Sequence, residues 1–419
     1  MSRHKLFYGW VVVIAFLFIG ITLYGIYFSF GVFFKSIETE FDLSRGATSA
    51  IASASLILTG LFAFLGGLTL DKFGPKIIVL FMGVLTGLSL VLTSLTHATW
   101  QLFLTYSLLL SMGTGALYVV PTSTVARWFN RRRGLTLGIA DAGAGLGPVV
   151  IAPLATYLIT DFNWRTAYLV VGLIAWLIIL PLSRLLKKEP REIGAEPDGL
   201  ALPANDHTEP KTGAIAMPLR QILKTSNLWW LWLVWFFLGI TVFLIFTHLV
   251  PYLTDIDISP AAAAAVIGVI GASTIAGKII MGAAADRVGR KLTSVFGCLL
   301  MTAAMLWLIR AHGLREFYAF AVVFGFAHGG LGASVGALIG DTFELTKIGT
   351  IFGILDLGWA AGAAIGPLLG GLIFDVTGSY ATAFLIGAIT MLAAALCVGL
   401  VGRKGGEHSQ TAHGEPVEP

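Results

Sequence analysis

The chain has 419 residues, 56% of them apolar and 12% charged, with 50 glycines and a net charge of +4. So much apolar side chain on so few charges excludes an ordinary soluble domain. The positive balance has a topological explanation, given below, and does not imply nucleic acid.

Continuous apolar runs of about 20 residues recur along the chain, the length needed to cross a hydrocarbon core. Lipid admits only helices or closed barrels. The runs do not alternate polar with apolar, so helices are expected. The spacing predicts twelve spans over 8–32, 47–70, 77–95, 101–126, 134–158, 166–186, 226–252, 260–283, 292–309, 316–340, 349–373 and 379–401. The first run is too long, and lacks the cleavage site, for a signal peptide. The fold class expected is an all-α membrane protein of twelve transmembrane helices, in two six-helix bundles related by a pseudo-two-fold axis.

Charges divide between the connecting loops. With the N-terminus inside, the inner segments hold Lys72, Lys76, Arg127, Arg131, Arg132, Arg133, Arg287, Arg290 and Lys291, and the outer loops keep Lys35, Arg45, Arg165, Arg310 and Arg315. Positive charge stays on the cytoplasmic side, so both termini are expected there, in a cell (inner) membrane. The segment 187–225 is rich in Pro, Glu, Lys, Asp and Gly and reads as a solvated linker. Its last residues, 218–224, form a short amphipathic piece suited to the membrane surface. The division expected is therefore 1–186, the linker, 226–402 and a polar tail at 403–419.

The two halves are copies. Gly67, Asp71, Gly74 and Lys76 precede Gly282, Asp286, Gly289 and Lys291 by the same 215 positions. The stretch Gly134–Asp141 in span five precedes Gly349–Asp356 in span eleven by the same interval. Parallel six-span repeats are the organisation of a rocking carrier, with its site near mid-membrane between the halves.

Several stretches carry a family resemblance. The loops 67–76 and 282–291 resemble the signature loop of the major facilitator superfamily. Within it, Tyr8-Gly9-Trp10-Val11-Val12, Phe33-Phe34-Lys35-Ser36-Ile37-Glu38, Trp128-Phe129-Asn130-Arg131-Arg132-Arg133-Gly134-Leu135 and Phe162-Asn163-Trp164-Arg165 resemble the monocarboxylate transporter-like family. That resemblance implies transport of lactate, pyruvate or similar small carboxylates, often with a proton, or exchange of dicarboxylates and formate. It also implies a cation in span eight that binds the substrate carboxylate, and Lys278 holds that place. Thr274 stands where animal members have an acid, and Phe28 where they have a lysine.

Lys278 lies eight residues before Asp286, so ~12 Å above the inner loop. A buried ammonium is costly and faces a cavity or a partner, unless its stem lets it snorkel to the interface. Asp356 sits ~10 Å above the same boundary and is the partner expected from equal depth in one half. Its protonation would free Lys278 for an arriving anion; the alternative is an ion pair that never opens. Asp141 takes the equivalent place in the first half, without a matching lysine, and is a second candidate for proton coupling. His328 in span ten is a candidate for the substrate site, and His248 in span seven for proton relay. Either is equally a satisfied hydrogen-bonder. Tyr118, Tyr24 and Tyr27 are candidates for cavity hydroxyls, or for packing. The superfamily resemblance implies that Asp71, Lys72, Asp286, Arg287, Arg290 and Arg131 gate, the acids capping facing helix N-termini and pairing with arginines, since an anion near a helix N-terminus is favoured.

No P-loop is present, and no cluster has metal-ligand or nucleophile–base spacing, so neither an enzyme nor a cofactor is implied. The expected partners are the carboxylate, a proton and the bilayer, around a monomer. Efflux of drugs or cations is the competing reading. Spans one and four hold no acid for it, and Lys278 would repel a cation.

Overall fold

The structure, a computed structural model, describes residues 7–129, 133–199, 222–343 and 348–402. Among these, twelve helices are long and apolar enough to cross a membrane. They are numbered α1 (Tyr8–Glu40), α2 (Arg45–Gly66), α3 (Lys72–Ser94), α4 (Thr99–Trp128), α5 (Leu135–Asp161), α6 (Trp164–Ser183), α7 (Ser226–Asp255), α8 (Pro260–Val288), α9 (Arg290–Leu308), α10 (Leu314–Thr342), α11 (Ile351–Thr377) and α12 (Ala381–Leu400). Each expected span is found. The first extends eight residues further than its apolar run, to Glu40, past a break at Ser29.

Helix starts follow local chemistry. The Ser44, Asn163 and Ser259 side chains accept from Ala47, Thr166 and Ala262 N–H groups, opening α2, α6 and α8. Each satisfies one of the donors that a helix N-terminus leaves free. Reversals fall at Gly74 (φ 73°) and Gly289 (φ 108°), conformations that side chains with a Cβ resist. These are the signature loops, with Pro75 following the first turn.

The core divides into two clusters. One joins Val12, Phe16, Leu23, Tyr106, Trp128 and Tyr168 within α1–α6. The other joins Leu231, Leu244, Phe317, Phe324, Phe384 and Met391 within α7–α12. Glycines set the closest approaches. A Cβ at Gly147 would lie 2.4 Å from Gly25 N, drawing α5 onto α1. In the second half a Cβ at Gly362 would meet Phe236 O at 1.9 Å, drawing α11 onto α7. Small residues that bring backbones together are how helices associate in lipid, and the glycine–proline pattern of α5 and α11 serves that end.

Tyr8, where α1 begins, and Leu400, where α12 ends, lie at one face, here the terminal face; the opposite face is distal. Toward the distal face the halves meet along α2–α11, α5–α8 and α1–α7. There a Cβ at Gly271 would lie 2.3 Å from Gly145 O, at Gly46 2.9 Å from Leu372 Cδ2, and at Gly31 2.3 Å from Phe246 O. Toward the terminal face the same helices part. Gly138 on α5 and Gly353 on α11, one turn beyond Asp141 and Asp356, each look into open space. The cleft between the halves is therefore closed distally and open on the terminal side.

Candidate functional site

The apex of this cleft collects most of the chemistry-bearing residues. Lys278 Nζ hydrogen-bonds and ion-pairs with Asp141 Oδ2, linking α8 of one half to α5 of the other. Both side chains keep partial access to solvent, 27% for Lys278 and 35% for Asp141. This corrects the expectation that Lys278 pairs with Asp356 and that Asp141 has no lysine. The reason lies in helix packing. The two helices run antiparallel and touch backbone to backbone at Gly145 and Gly271. One turn toward the terminal side on α5 is Asp141, and two turns on α8 is Lys278, so both fall on the contact face.

Asp356 is half-buried on α11 and forms no ion pair among the described residues. Its carboxylate lies within electrostatic reach of Tyr24, Tyr27 and Tyr118, and Asp141 within reach of Tyr24 and Tyr118. Of the three tyrosines expected as cavity hydroxyls, Tyr24 and Tyr118 thus lie near both aspartates, and Tyr27 near Asp356 alone. Tyr118, 40% exposed, lies where the regular bonding of α4 is interrupted over Gly115–Tyr118. His328 faces the same region, within reach of Lys278, its ring stacked on Trp359 at 6.4 Å. Its Nδ1 is buried without a hydrogen-bond partner, a costly arrangement that a bound polar group would relieve.

Aromatic side chains roof the cluster on the distal side. Phe28 lies 4.4 Å from Phe246 and 5.5 Å from Phe243, while Tyr27 meets Phe243 edge-on at 5.2 Å. Trp359 stands beside Tyr27 and meets Trp235 and Phe243 edge-on, with ring centres 5.8 and 5.7 Å away. Sequence reasoning passed over Trp359, whose signal was its place one turn beyond Asp356.

His248 is elsewhere. It is fully buried near the distal end of α7, with Nε2 2.7 Å from Pro367 O and Nδ1 3.1 Å from Tyr380 OH. It joins the distal contact between the halves and not the cluster around Lys278. The expected gating residues whose side chains are described lie at the terminal face. Lys72 is exposed, with its ammonium 5.3 Å from the Phe73 ring. Asp286 pairs at 3.8 Å with Arg290, which also bonds Asp341 and Ala337 O, all within the second half. Arg287 is exposed. Arg131, the Asp71 side chain and residues 218–221 of the amphipathic piece lie outside the described residues.

Two helical bundles around a one-sided cleft, with an ion pair across its apex, define a membrane carrier. The comparisons agree. The Major Facilitator Superfamily profile matches residues 13–280 and 249–418, and the chain belongs to that superfamily. It is 25% identical to monocarboxylate transporter 13 of Bos taurus, over 92% of this chain and 87% of that one. It is 26% identical to monocarboxylate transporter 12 of Xenopus laevis (94% and 88%) and 27% to monocarboxylate transporter 11 of Homo sapiens (94% and 83%). Among solved structures it resembles a bacterial homologue of the human lysosomal transporter Spinster, in an inward-facing and unoccupied conformation. The TM-score is 0.70 at 16% identity, covering 94% of this chain and 95% of that one. The protein is thus a multi-pass, monocarboxylate transporter-like carrier, not an enzyme.

Proposed function

We propose that this carrier moves a small monocarboxylate such as lactate or pyruvate together with a proton, by alternating access. The observation that carries the reading is the Lys278–Asp141 ion pair at the apex of the cleft. A carboxylate entering the cleft competes with Asp141 for the ammonium. Protonating Asp141 removes that competitor, so anion and proton bind together and the net charge of the site does not change. Tyr24 and Tyr118 stand beside Asp141 to hold the freed carboxyl or the substrate. His328 Nδ1 offers a further polar contact. Asp356, among the same tyrosines, is a second proton site in this scheme.

One ammonium in the cluster matches one carboxylate, which favours a monocarboxylate over exchange of dicarboxylates; it also disfavours efflux of cations. In this reading the protein works as a monomer in the cell membrane, with the terminal face cytoplasmic, where Lys72, Arg287 and Lys291 lie. The test is uptake of labelled lactate and pyruvate into proteoliposomes, with and without an inward proton gradient. Uptake should rise with the gradient and vanish in Lys278→Ala while the protein remains monodisperse. Full uptake in that variant removes the anion site.

A further inference from the structure

We infer that Arg45 is the key of a distal latch that holds the two halves together in the state seen here, and that it must disengage when the carrier opens on the distal side. The guanidinium enters α2 at the distal face and is 7% exposed. It reaches across the interface to Asp255 of α7, with Nη1–Oδ2 at 2.6 Å and Nη2–Oδ1 at 3.0 Å. The same group lies 3.9 Å from the centre of the Phe374 ring and donates to Tyr380 OH at 2.7 Å. Bidentate, charge-assisted bonds of this kind are about twice as strong as neutral ones. The α1 residues add to the clasp. Lys35 pairs with Asp255 at 2.5 Å, and Glu38 accepts from Arg45 Nε at 3.2 Å.

Backbone contacts complete it. Asp375 of α11 accepts from the N–H groups of Arg45 at 2.9 Å and Gly46 at 2.8 Å, an acid from one half capping a helix start in the other. Donor counting orders the interior. The Tyr380 oxygen accepts from Arg45, so its own proton goes to His248 Nδ1, and His248 Nε2–H donates to Pro367 O. The chain of bonds runs from α2 through α12 and α7 to α11. None of these groups lies in the Lys278 cluster, and separating the halves on this side breaks the Arg45–Asp255, Arg45–Tyr380 and Asp375–backbone contacts together. A seal built of paired charges suits a part that must reopen, because each partner can be rehydrated when the halves part.

The inference rests on the carrier reading but not on any cargo, and its test uses no substrate. In a background with the two buried cysteines replaced (Cys298→Ala, Cys397→Ala), two single-cysteine reporters are labelled with a maleimide in nanodiscs, where both faces are open to reagent. Thr247→Cys lies in the distal closure, 3% exposed, and Gly353→Cys lies in the terminal cleft. Arg45→Gln, Asp255→Asn or Asp375→Asn should speed labelling at the first reporter by about tenfold and slow it at the second, since losing a charge-assisted bond shifts a two-state balance by about that factor. Arg45→Lys should fall between these variants and the parent. That reciprocity separates a latch from a merely destabilised fold, which raises both rates. Unchanged rates, or a rise at both reporters, overturn the inference. Failure of lactate uptake would leave it standing.

Discussion

Single side chains at the apex carry the transport chemistry. Lys278 is held by Asp141, and that pair makes two separable demands. Asp141→Asn removes the competing charge while keeping the shape, so proteoliposome uptake should continue but lose its response to a proton gradient. Preserved gradient dependence would move the proton site to Asp356. Lys278→Arg should retain measurable uptake, since a guanidinium also binds a carboxylate. His328 makes a quieter prediction. Its Nδ1 is buried and unpartnered, so His328→Phe should raise KM by roughly tenfold without loss of thermal stability, the partner being supplied by substrate. An unchanged KM would make the ring a packing element against Trp359.

At the scale of helices, glycine placement decides what may be changed. A Cβ at Gly362 would meet the Phe236 carbonyl at 1.9 Å, whereas one at Gly138 would meet nothing within 4 Å. Gly362→Val should therefore lower the melting temperature of the purified protein, with a cost of about 1–3 kcal/mol or more from overpacking. Gly138→Ala should be tolerated. Equal melting temperatures would mean that α7 and α11 are not packed as closely as described. The same geometry explains the pairing of Lys278. Contact between Gly145 and Gly271 sets the rotation of α5 against α8, and that rotation aims two charges from different halves at each other.

For the whole molecule, the closed distal end implies a rocking motion that a covalent tie would stop. A Cβ on Gly46 would lie 3.5 Å from Leu372 Cγ, the place a cysteine sulfur would take, so a small shift of the Asp375 carboxylate allows a disulfide between the halves. In the cysteine-free background, oxidised Gly46→Cys/Leu372→Cys protein should lose uptake almost completely and regain it with reductant. Undiminished transport by a cross-linked carrier would exclude alternation at this seam.

Membrane class, helix number, duplication and the stations of the intramembrane charges were legible in the sequence because each is written in local composition or in an interval along the chain. Apolar runs report lipid directly, and a repeat of 215 positions needs no folding to be seen. Partnership was not legible. Asp141 and Asp356 occupy equivalent places in the two copies, and depth alone favoured the aspartate in the same half as Lys278. Only the contact of α5 with α8 selected the other. The distal clasp of Arg45, Asp255, Asp375 and Tyr380 was hidden for the same reason. Its members are scattered over three helices and the start of a fourth, and Arg45 read simply as a loop charge. Composition and periodicity act through neighbours in the chain. Which charges meet depends on how helices rotate and cross, and that is settled only when the two bundles pack together.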